Sequence, residues 1–296
     1  MVTNGSPFVS FAVIRAIRFY FLRNMEGLFH VHSNYSADGR LSLEELREEC
    51  IKRSLRFMVV TDHAEDFPPG KIRQFVDHCQ KISDGNFLVV PGLEFNIDKD
   101  HEVHLLVVGL EDFVSADGKE EILKKIRKGE TTALTVMAHL SRSNHYIPSE
   151  YENRINGIEV WNAAYDSRYL PDHKAIRLFA DLKKVNKRLI GFGGLDLHDH
   201  SGFRGLRICL LNSCVNATEV LDHLKEGRFI IRGPFVDISS SPNLGFFRIK
   251  LLEWGRKLLT VADCFQWQIV SWKKSFSIQK QEDRIQKTEN RKEIPE

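Results

Sequence analysis

From Gly27 onward, short apolar runs rich in β-branched residues alternate with amphipathic stretches. The runs have the length of buried strands, and the stretches between them repeat apolar residues at helical spacing. This alternation is typical of parallel βα units. The pattern predicts seven strands, at Gly27–Val31, Phe57–Thr61, Phe87–Val90, Val103–Val108, Ala133–Ala138, Gly157–Trp161 and Leu189–Gly193.

Helices are predicted between these strands. Ser42 and Glu45 form an S-x-x-E capping box, which is typical of a helix start, and Leu43, Leu46 and Ile51 supply an apolar stripe behind it. Further helices are predicted at Pro69–Ile82, Lys119–Lys128, Leu170–Asn186 and Ala217–Glu226, and one or two amphipathic helices at Leu244–Val261.

The predicted organisation has four parts: an N-terminal extension (1–24), an α/β domain (25–240), a C-terminal helical extension (241–272) and a charged tail that is a solvated helix or disordered (273–296). Phe8–Leu22 is shorter than the roughly 20 apolar residues of a membrane span and contains Arg15 and Arg18. Because Met25 opens the first strand, the extension is either a misassigned start or an added amphipathic helix.

Composition sets the broad class. A chain of 296 residues with 42% apolar residues can bury the core of one large domain, such as an α/β barrel, or of two small ones. The net charge of +2 gives no global field that would attract nucleic acid. Five widely spaced cysteines without a CxxC pair argue against a disulfide framework and against a thiolate zinc site, and they favour a cytoplasmic location.

Potential metal ligands stand at or near the ends of the predicted strands. His30 and His32 flank Val31, so that both imidazoles of a strand would face the same side. The other candidates are Asp38, His63, Glu94, His104, His139, Asp196 and His198. All but His104 lie at or just past the carboxyl end of a strand. Because those ends meet on one face of a parallel barrel, we expect the candidates to form one cluster.

The ligand types indicate the metal chemistry. Imidazole and carboxylate ligands suit Zn, Mn or Fe. A catalytic zinc uses about three protein ligands, so nine candidates imply two or three ions. Glu94 could bridge two of them, and a paired site can generate hydroxide near neutral pH while clamping the oxygens of a phosphoryl group. The predicted chemistry is metal-assisted hydrolysis.

The order of the motifs resembles a known family. HxH (His30–His32), SxDG (Ser36–Gly39), TDH (Thr61–His63), PGxE (Pro91–Glu94), two isolated histidines and GxDxH (Gly194–His198) are similar to the motifs of the PHP family, the polymerase and histidinol phosphatase metal-dependent phosphoesterases. The resemblance covers about Gly27 to Pro234. It implies a distorted seven-stranded (β/α) barrel with two or three divalent metals at the C-terminal ends of the strands, held by the nine candidates.

The resemblance also implies an activity. Members hydrolyse phosphate esters, among them histidinol phosphate, nucleotides and short oligonucleotides, so we expect a phosphorylated small molecule, a nucleotide or a short oligonucleotide as substrate. A metal-activated hydroxide would attack a phosphate monoester or a terminal phosphodiester, with His139 or Asp196 assisting proton transfer. We expect no membrane partner and no stable nucleic-acid partner, and the oligomeric state stays open.

Several assignments stay open at this level. Arg204 and Arg142 are the best-placed phosphate holders, or else surface charges. Asp38 stands where some members have His. His101 competes with His104 as the ligand near the fourth strand. Further interpretations are that Asp62 orients His63, and that Tyr35 stacks on a base or merely fills a loop.

Two other functions compete with the phosphoesterase. An amidohydrolase-type barrel also opens with HxH, but the TDH and DxH motifs fit phosphoesterases better. A non-catalytic metal-binding PHP module, of the kind fused to DNA polymerases, is disfavoured because all nine positions keep a coordinating side chain. A nucleic-acid regulator is least favoured, since the chain has no helix-turn-helix signal.

Overall fold

The structure, a computed structural model, describes residues 24–68, 70–109, 119–245 and 247–259. Residues 1–23 of the predicted extension, residues 260–272 and the charged tail 273–296 lie outside the described residues. The chain divides into two units after Gly245. The second unit contains a helix over residues 247–259, within the predicted Leu244–Val261 stretch. Within the described ranges, no helix combines the length and the apolar character needed to cross a bilayer.

One sheet contains ten strands of the described chain. They are β1 (Met25–Val31), β2 (Phe57–His63), β3 (Leu88–Asp98), β4 (Val103–Val108), β5 (Leu134–Met137), β6 (Gly157–Asn162), β7 (Ile190–Gly194), β8 (Arg207–Leu210), β9 (Phe229–Arg232) and β10 (Asp237–Ser239). Their order across the sheet is β10-β9-β8-β1-β2-β3-β4-β5-β6-β7.

Six helices lie between the strands of this unit as described: α1 (Leu43–Lys52), α2 (Lys71–Ile82), α3 (Lys119–Lys128), α4 (Ser149–Glu152), α5 (His173–Val185) and α6 (Ala217–Lys225). The described residues also form 3₁₀ turns at Ala64–Asp66 and His200–Gly202. The predicted capping box is confirmed at α1. The Glu45 amide donates to Ser42 Oγ (3.2 Å), and the Ser42 amide donates to Glu45 Oε2 (2.8 Å).

The α/β class is confirmed, but the count of seven strands and their uniform parallel order are wrong. β4 is antiparallel to both β3 and β5. Only residues 99–102 separate β3 from β4, which is too short for a parallel crossover and suits a hairpin. The additional strands β8, β9 and β10 have three or four residues each, and β9 alternates buried and half-buried positions. Runs this short lack the continuous apolar character that identifies a buried strand.

The sheet curves into a nearly closed barrel. Past the end of β7, the Leu195 amide donates to the Phe29 carbonyl (3.0 Å), and the His32 amide donates to the Leu197 carbonyl (2.8 Å). These bonds place the continuation of β7 beside β1. The two edge strands also approach each other. The Gly191 amide near the start of β7 donates to the Ser240 carbonyl, just beyond β10 (2.6 Å).

Aromatic side chains fill the barrel where it closes. Phe192 of β7 stacks on Phe29 of β1, with ring centroids 4.9 Å apart, and lies 5.1 Å from the ring of Phe229 on β9. All three rings are buried. The apolar contact therefore joins three strands that the hydrogen-bonded ladder does not pair directly.

Candidate metal centre

The direction of β4 explains why His104 departs from the strand-end pattern. β4 runs opposite to its neighbours, so its first residues lie at the edge where β2 and β5 end. His104 is the second residue of β4, and His139 follows β5. Their rings lie 4.8 Å apart. A start-of-strand residue on an antiparallel strand thus reaches the same face as the strand-end residues.

Three groups of imidazoles and carboxylates lie on this face in the described part of the chain. Within each group the potential donor atoms are within 4.8 Å of one another. Group A is His32, Asp38, His63 and His198; group B is His30, His32, Glu94 and Asp196; group C is Glu94, His104 and His139. His32 is common to groups A and B, and Glu94 to groups B and C. The structure therefore brings together all nine residues predicted from the sequence.

Glu94 lies between groups B and C. Its Oε1 is 2.8 Å from His104 Nδ1 and 2.9 Å from His139 Nε2, in group C. Its Oε2 is 3.2 Å from His32 Nε2 and 3.4 Å from His30 Nε2, in group B. Each oxygen of the carboxylate thus faces a different set of imidazoles, which is the arrangement of a bridging ligand.

The groups differ in depth. All members of groups B and C are buried, and in group B Asp196 Oδ1 is 3.3 Å from His30 Nε2 and 3.2 Å from His32 Nε2. Group A reaches the surface, because only His32 among its members is buried, while His63 and His198 are half-buried and Asp38 is exposed. There Asp38 Oδ2 is 3.3 Å from His63 Nε2 and 3.2 Å from His198 Nε2, and the Asp38 side chain is 55% exposed. A ligand that enters from solvent would meet group A first.

Three of these residues have left-handed backbone conformations. The φ angles are 64° at His30, 24° at His139 and 51° at Asp196. Non-glycine residues rarely adopt positive φ, and such conformations cost about 1–3 kcal/mol each where the surrounding structure holds them. His30 also lies within an irregularity of the β1–β2 pairing, between Leu28 and Val31. The local distortions turn side chains at strand ends towards one another.

Asp62 organises the loop that carries Asp38. Its Oδ1 accepts from the Ser33 amide (2.7 Å) and from Ser36 Oγ (2.7 Å), and its Oδ2 accepts from Ser33 Oγ (2.6 Å). Ser36 Oγ in turn accepts from the His63 amide (2.8 Å). Asp62 therefore acts on the His63 main chain through Ser36, and its carboxylate hydrogen-bonds to the loop residues Ser33 and Ser36.

Charge in the cluster shifts the titration of its members. Burial alone would lower the pKa of His32, but the nearby carboxylates of Asp196 and Glu94 raise it to about 9. Burial would also lower the pKa of His30, but the carboxylates of Glu159, Asp196 and Glu94 raise it well above its usual value. Burial would raise the pKa of Glu94, yet His30 and the other imidazoles hold it well below its usual range. In the absence of metal, protons on the histidines thus balance the buried carboxylates.

The donor atoms fit divalent metal ions. His32 Nε2 is fully buried and makes no hydrogen bond within the described residues, although oxygens of Glu94 and Asp196 lie 3.2 Å away. A buried nitrogen normally has a hydrogen-bond partner, so this atom is arranged for some other interaction. Imidazole nitrogens and carboxylate oxygens without thiolates suit Zn, Mn or Fe.

A cavity of about 310 Å³ opens above the groups. Its wall includes two arginines, Arg40 and Arg142, together with Tyr165 and Asp199. Glu102 accepts from Arg142 Nε (3.1 Å) and Nη2 (3.2 Å), and the Tyr165 hydroxyl lies 2.8 Å from Arg142 Nη1. Arg142 is therefore held at the cavity wall. Sequence reasoning missed Arg40, although it directly follows the SxDG motif.

Other predicted residues lie elsewhere. Arg204 donates from Nη1 to the Ala163 carbonyl (2.7 Å) and is not part of the cavity wall. His101 is paired with Asp98 (2.8 Å) and belongs to none of the three groups, whereas His104 lies in group C. Tyr35 packs on Phe67, with ring centroids 5.9 Å apart, so the loop-filling interpretation matches its surroundings.

Glu159 is a buried carboxylate that sequence reasoning missed. It lies on β6 and is 1% exposed. Its Oε1 is 2.8 Å from His30 Nδ1, and its Oε2 accepts from the His139 amide (2.7 Å). A charged residue within an otherwise apolar strand is rarely buried without a partner, and that signal was present in the sequence Gly-Ile-Glu-Val-Trp-Asn.

Comparisons with known proteins agree with this geometry. The chain is 30% identical over 84 residues to the DNA polymerase/3'-5' exonuclease PolX of Bacillus subtilis, a match that covers 26% of this chain and 15% of that protein. It is also similar to a crystal structure from Bacteroides vulgatus, described as a two-domain protein containing a predicted PHP-like metal-dependent phosphoesterase. The TM-score is 0.52 at 17% identity, over 71% of this chain and 65% of that one.

Each of these two matches covers part of the matched protein. The chain spans less than two thirds of the length of either protein. At 17% identity the likeness to the Bacteroides structure shows the fold alone. The family model for the PHP domain, in contrast, matches residues 29–183, more than half of the chain and most of the residues in the three groups. The chain therefore belongs to the PHP domain family.

Proposed function

We propose that the protein is a metal-dependent phosphoesterase that hydrolyses a phosphate monoester or a terminal phosphodiester. The observation that carries the proposal is the sharing of ligands between the groups. Because His32 and Glu94 each belong to two groups, ions bound there would be neighbours beneath one open cavity. Adjacent metals suit the oxygens of a phosphoryl group, and two or three ions of Zn, Mn or Fe would satisfy the nine ligands.

When bound, such ions would polarise the phosphoryl oxygens and lower the pKa of water. The protein's own side chains would bind the ester and transfer protons. Arg142 and Arg40 would hold the anionic ester, and Glu102 and Tyr165 would keep the Arg142 guanidinium in place at the wall. His139 and Asp196 both line the cavity, so either could assist proton transfer.

The size and opening of the cavity bear on the substrate. About 310 Å³ lies at the lower end of small-molecule sites, and the cavity is open to the surface. It would admit a phosphorylated small molecule, a nucleotide or the end of a short oligonucleotide, whose remainder would extend outward. Because the PolX relative is named a 3'-5' exonuclease, an oligonucleotide is included among the test compounds.

The test is ester hydrolysis by chelator-treated protein to which Mn, Zn or Fe has been restored, measured as phosphate released from monoesters and as nucleotides released from an oligonucleotide. The compounds are p-nitrophenyl phosphate, histidinol phosphate, nucleoside monophosphates and a short oligonucleotide. We expect metal-dependent hydrolysis of at least one compound. No hydrolysis of any of them, with metal bound, would contradict the proposal and favour a binding module or another hydrolytic class, such as an amidohydrolase.

Variants of the cluster connect the activity to the site. His30→Ala and Asp196→Ala should abolish turnover while the barrel stays folded, because these side chains serve the metal centre more than the apolar core. His223→Ala is the matched control, since His223 lies on α6 and in none of the three groups. Full activity of both cluster variants after metal stripping and Mn reconstitution would show that the site is wrongly placed.

A further inference from the structure

Glu159 lies behind the metal centre and contacts two of its candidate ligands. It belongs to none of the three groups, yet its two oxygens contact residues of groups B and C. We propose that Glu159 is a positioning residue, which prepares His30 and His139 for metal binding by fixing the proton on one imidazole and the main chain of the other. This inference rests on the proposed function of the cluster as a metal centre.

The contact with His30 determines which nitrogen is available. Glu159 Oε1 lies 2.8 Å from His30 Nδ1, and both side chains are fully buried. A carboxylate can only accept a hydrogen bond, so Nδ1 must carry the hydrogen. The opposite nitrogen, Nε2, faces Asp196 Oδ1 (3.3 Å) and Glu94 Oε2 (3.4 Å) in group B, and it is the nitrogen that could bind a metal ion in place of a proton. Metal-binding histidines commonly have such a carboxylate behind them.

The second oxygen acts on His139 through the backbone. Glu159 Oε2 accepts from the His139 amide (2.7 Å), at a residue whose φ of 24° is unfavourable without support. It also accepts from Asn162 Nδ2 (2.8 Å). The orientation of that amide is fixed, because Asn162 Oδ1 accepts from the Ala164 and Tyr165 amides. The His139 ring, in turn, reaches Glu94 in group C.

A side chain that replaces Glu159 would have to accept the same three hydrogen bonds. Three donors converge on Glu159: an imidazole N–H, a backbone N–H and an amide N–H. Glutamine has nearly the same shape but replaces one acceptor oxygen with an NH₂ group. It must therefore face a donor with a donor, or reverse the His30 tautomer and place a hydrogen on Nε2. In either arrangement a metal ligand is lost or displaced.

The test is metal affinity of the full chain, measured by competition of Zn²⁺ with a chromophoric chelator and by metal content after dialysis. Glu159→Gln should weaken binding about 10- to 100-fold, the usual effect of losing a carboxylate behind a metal-bound histidine. Glu26→Gln is the matched control. Glu26 lies on β1 and pairs with Arg207 (2.9 Å) and Arg232, away from the three groups. It should bind Zn²⁺ as the unaltered protein does.

A spectroscopic signature separates positioning from general destabilisation. In ¹⁵N-histidine-labelled, Zn²⁺-loaded protein, His30 should show a protected Nδ1–H resonance that is absent from the Glu159→Gln variant. Asn162→Ala, which removes one donor to Glu159, should give a smaller loss of affinity, so the inference stays testable if the glutamine variant does not fold. Zn²⁺ affinity within twofold of the unaltered protein in the folded variants would overturn the inference, whether or not any ester is hydrolysed.

Discussion

Asp62 holds the loop that carries Asp38 of the candidate metal centre. Its carboxylate is fully buried and accepts three hydrogen bonds from Ser33 and Ser36, and burial raises its pKa against these bonds. Asp62→Ala would leave buried donors without a partner, so the free energy of unfolding should fall by about 3 kcal/mol or more. Chemical denaturation of the chelated protein measures the loss. Asp66→Ala, which removes one exposed bond to the Ala37 amide in the same loop, should cost under about 1 kcal/mol.

The titration of single residues predicts how metal stabilisation varies with pH. In chelated protein the charged form of His32, whose pKa is raised to about 9, stabilises the fold below about pH 6.5, and this contribution is lost as the pH rises towards 9. Metal binding requires neutral imidazoles and so becomes stronger as the pH rises. The difference in Tm between metal-loaded and chelated protein should therefore widen from about pH 6 to about pH 9. A difference in Tm that stays constant or narrows over this pH range would contradict the prediction.

At the scale of an element, β6 and β7 approach closely behind the centre. Gly194 ends β7, and a Cβ atom added there would overlap Glu159 Oε1 on β6. Gly194→Ala should therefore displace the Glu159 carboxylate from His30 and lower the free energy of unfolding by about 1–3 kcal/mol, the usual cost of overpacking. Thermal unfolding measures the loss. Gly85→Ala is the control, because a Cβ there meets no atom within 4 Å. Equal effects of the two substitutions would show that the close approach is unimportant.

At the scale of the whole molecule, closure of the barrel depends on apolar packing between strands that are distant in sequence. Phe192→Ala would leave a cavity between the rings of Phe29 and Phe229, so we expect a loss of about 3–5 kcal/mol in the free energy of unfolding. Phe235→Ala makes the same chemical change at a side chain that is 75% exposed, and it should cost about 0.5 kcal/mol or less. Denaturant titration of both variants measures the difference. Similar losses would argue against a closed apolar core.

The sequence predicts features that depend on local interactions or on the order of motifs, and it does not reveal contacts between residues that are distant along the chain. The cap of α1 is local. Eight of the nine cluster residues were predictable because strand ends converge in a wound α/β sheet, and His104 was identified by the order of the motifs. The antiparallel direction of β4 depends on a hairpin of four residues, 99–102, that the periodic pattern does not distinguish from a loop. Glu159 was missed because its partners, His30 and His139, are 129 and 20 residues away along the chain.

The measurement that tests the account most directly is a crystal structure of Zn²⁺-loaded protein, with diffraction recorded above and below the zinc absorption edge. The account predicts anomalous peaks within group B and within at least one of groups A and C, about 2.0–2.2 Å from imidazole nitrogens and carboxylate oxygens. Peaks only at other positions, or no peak within the three groups at full zinc loading, would contradict the assignment of this cluster as a metal centre.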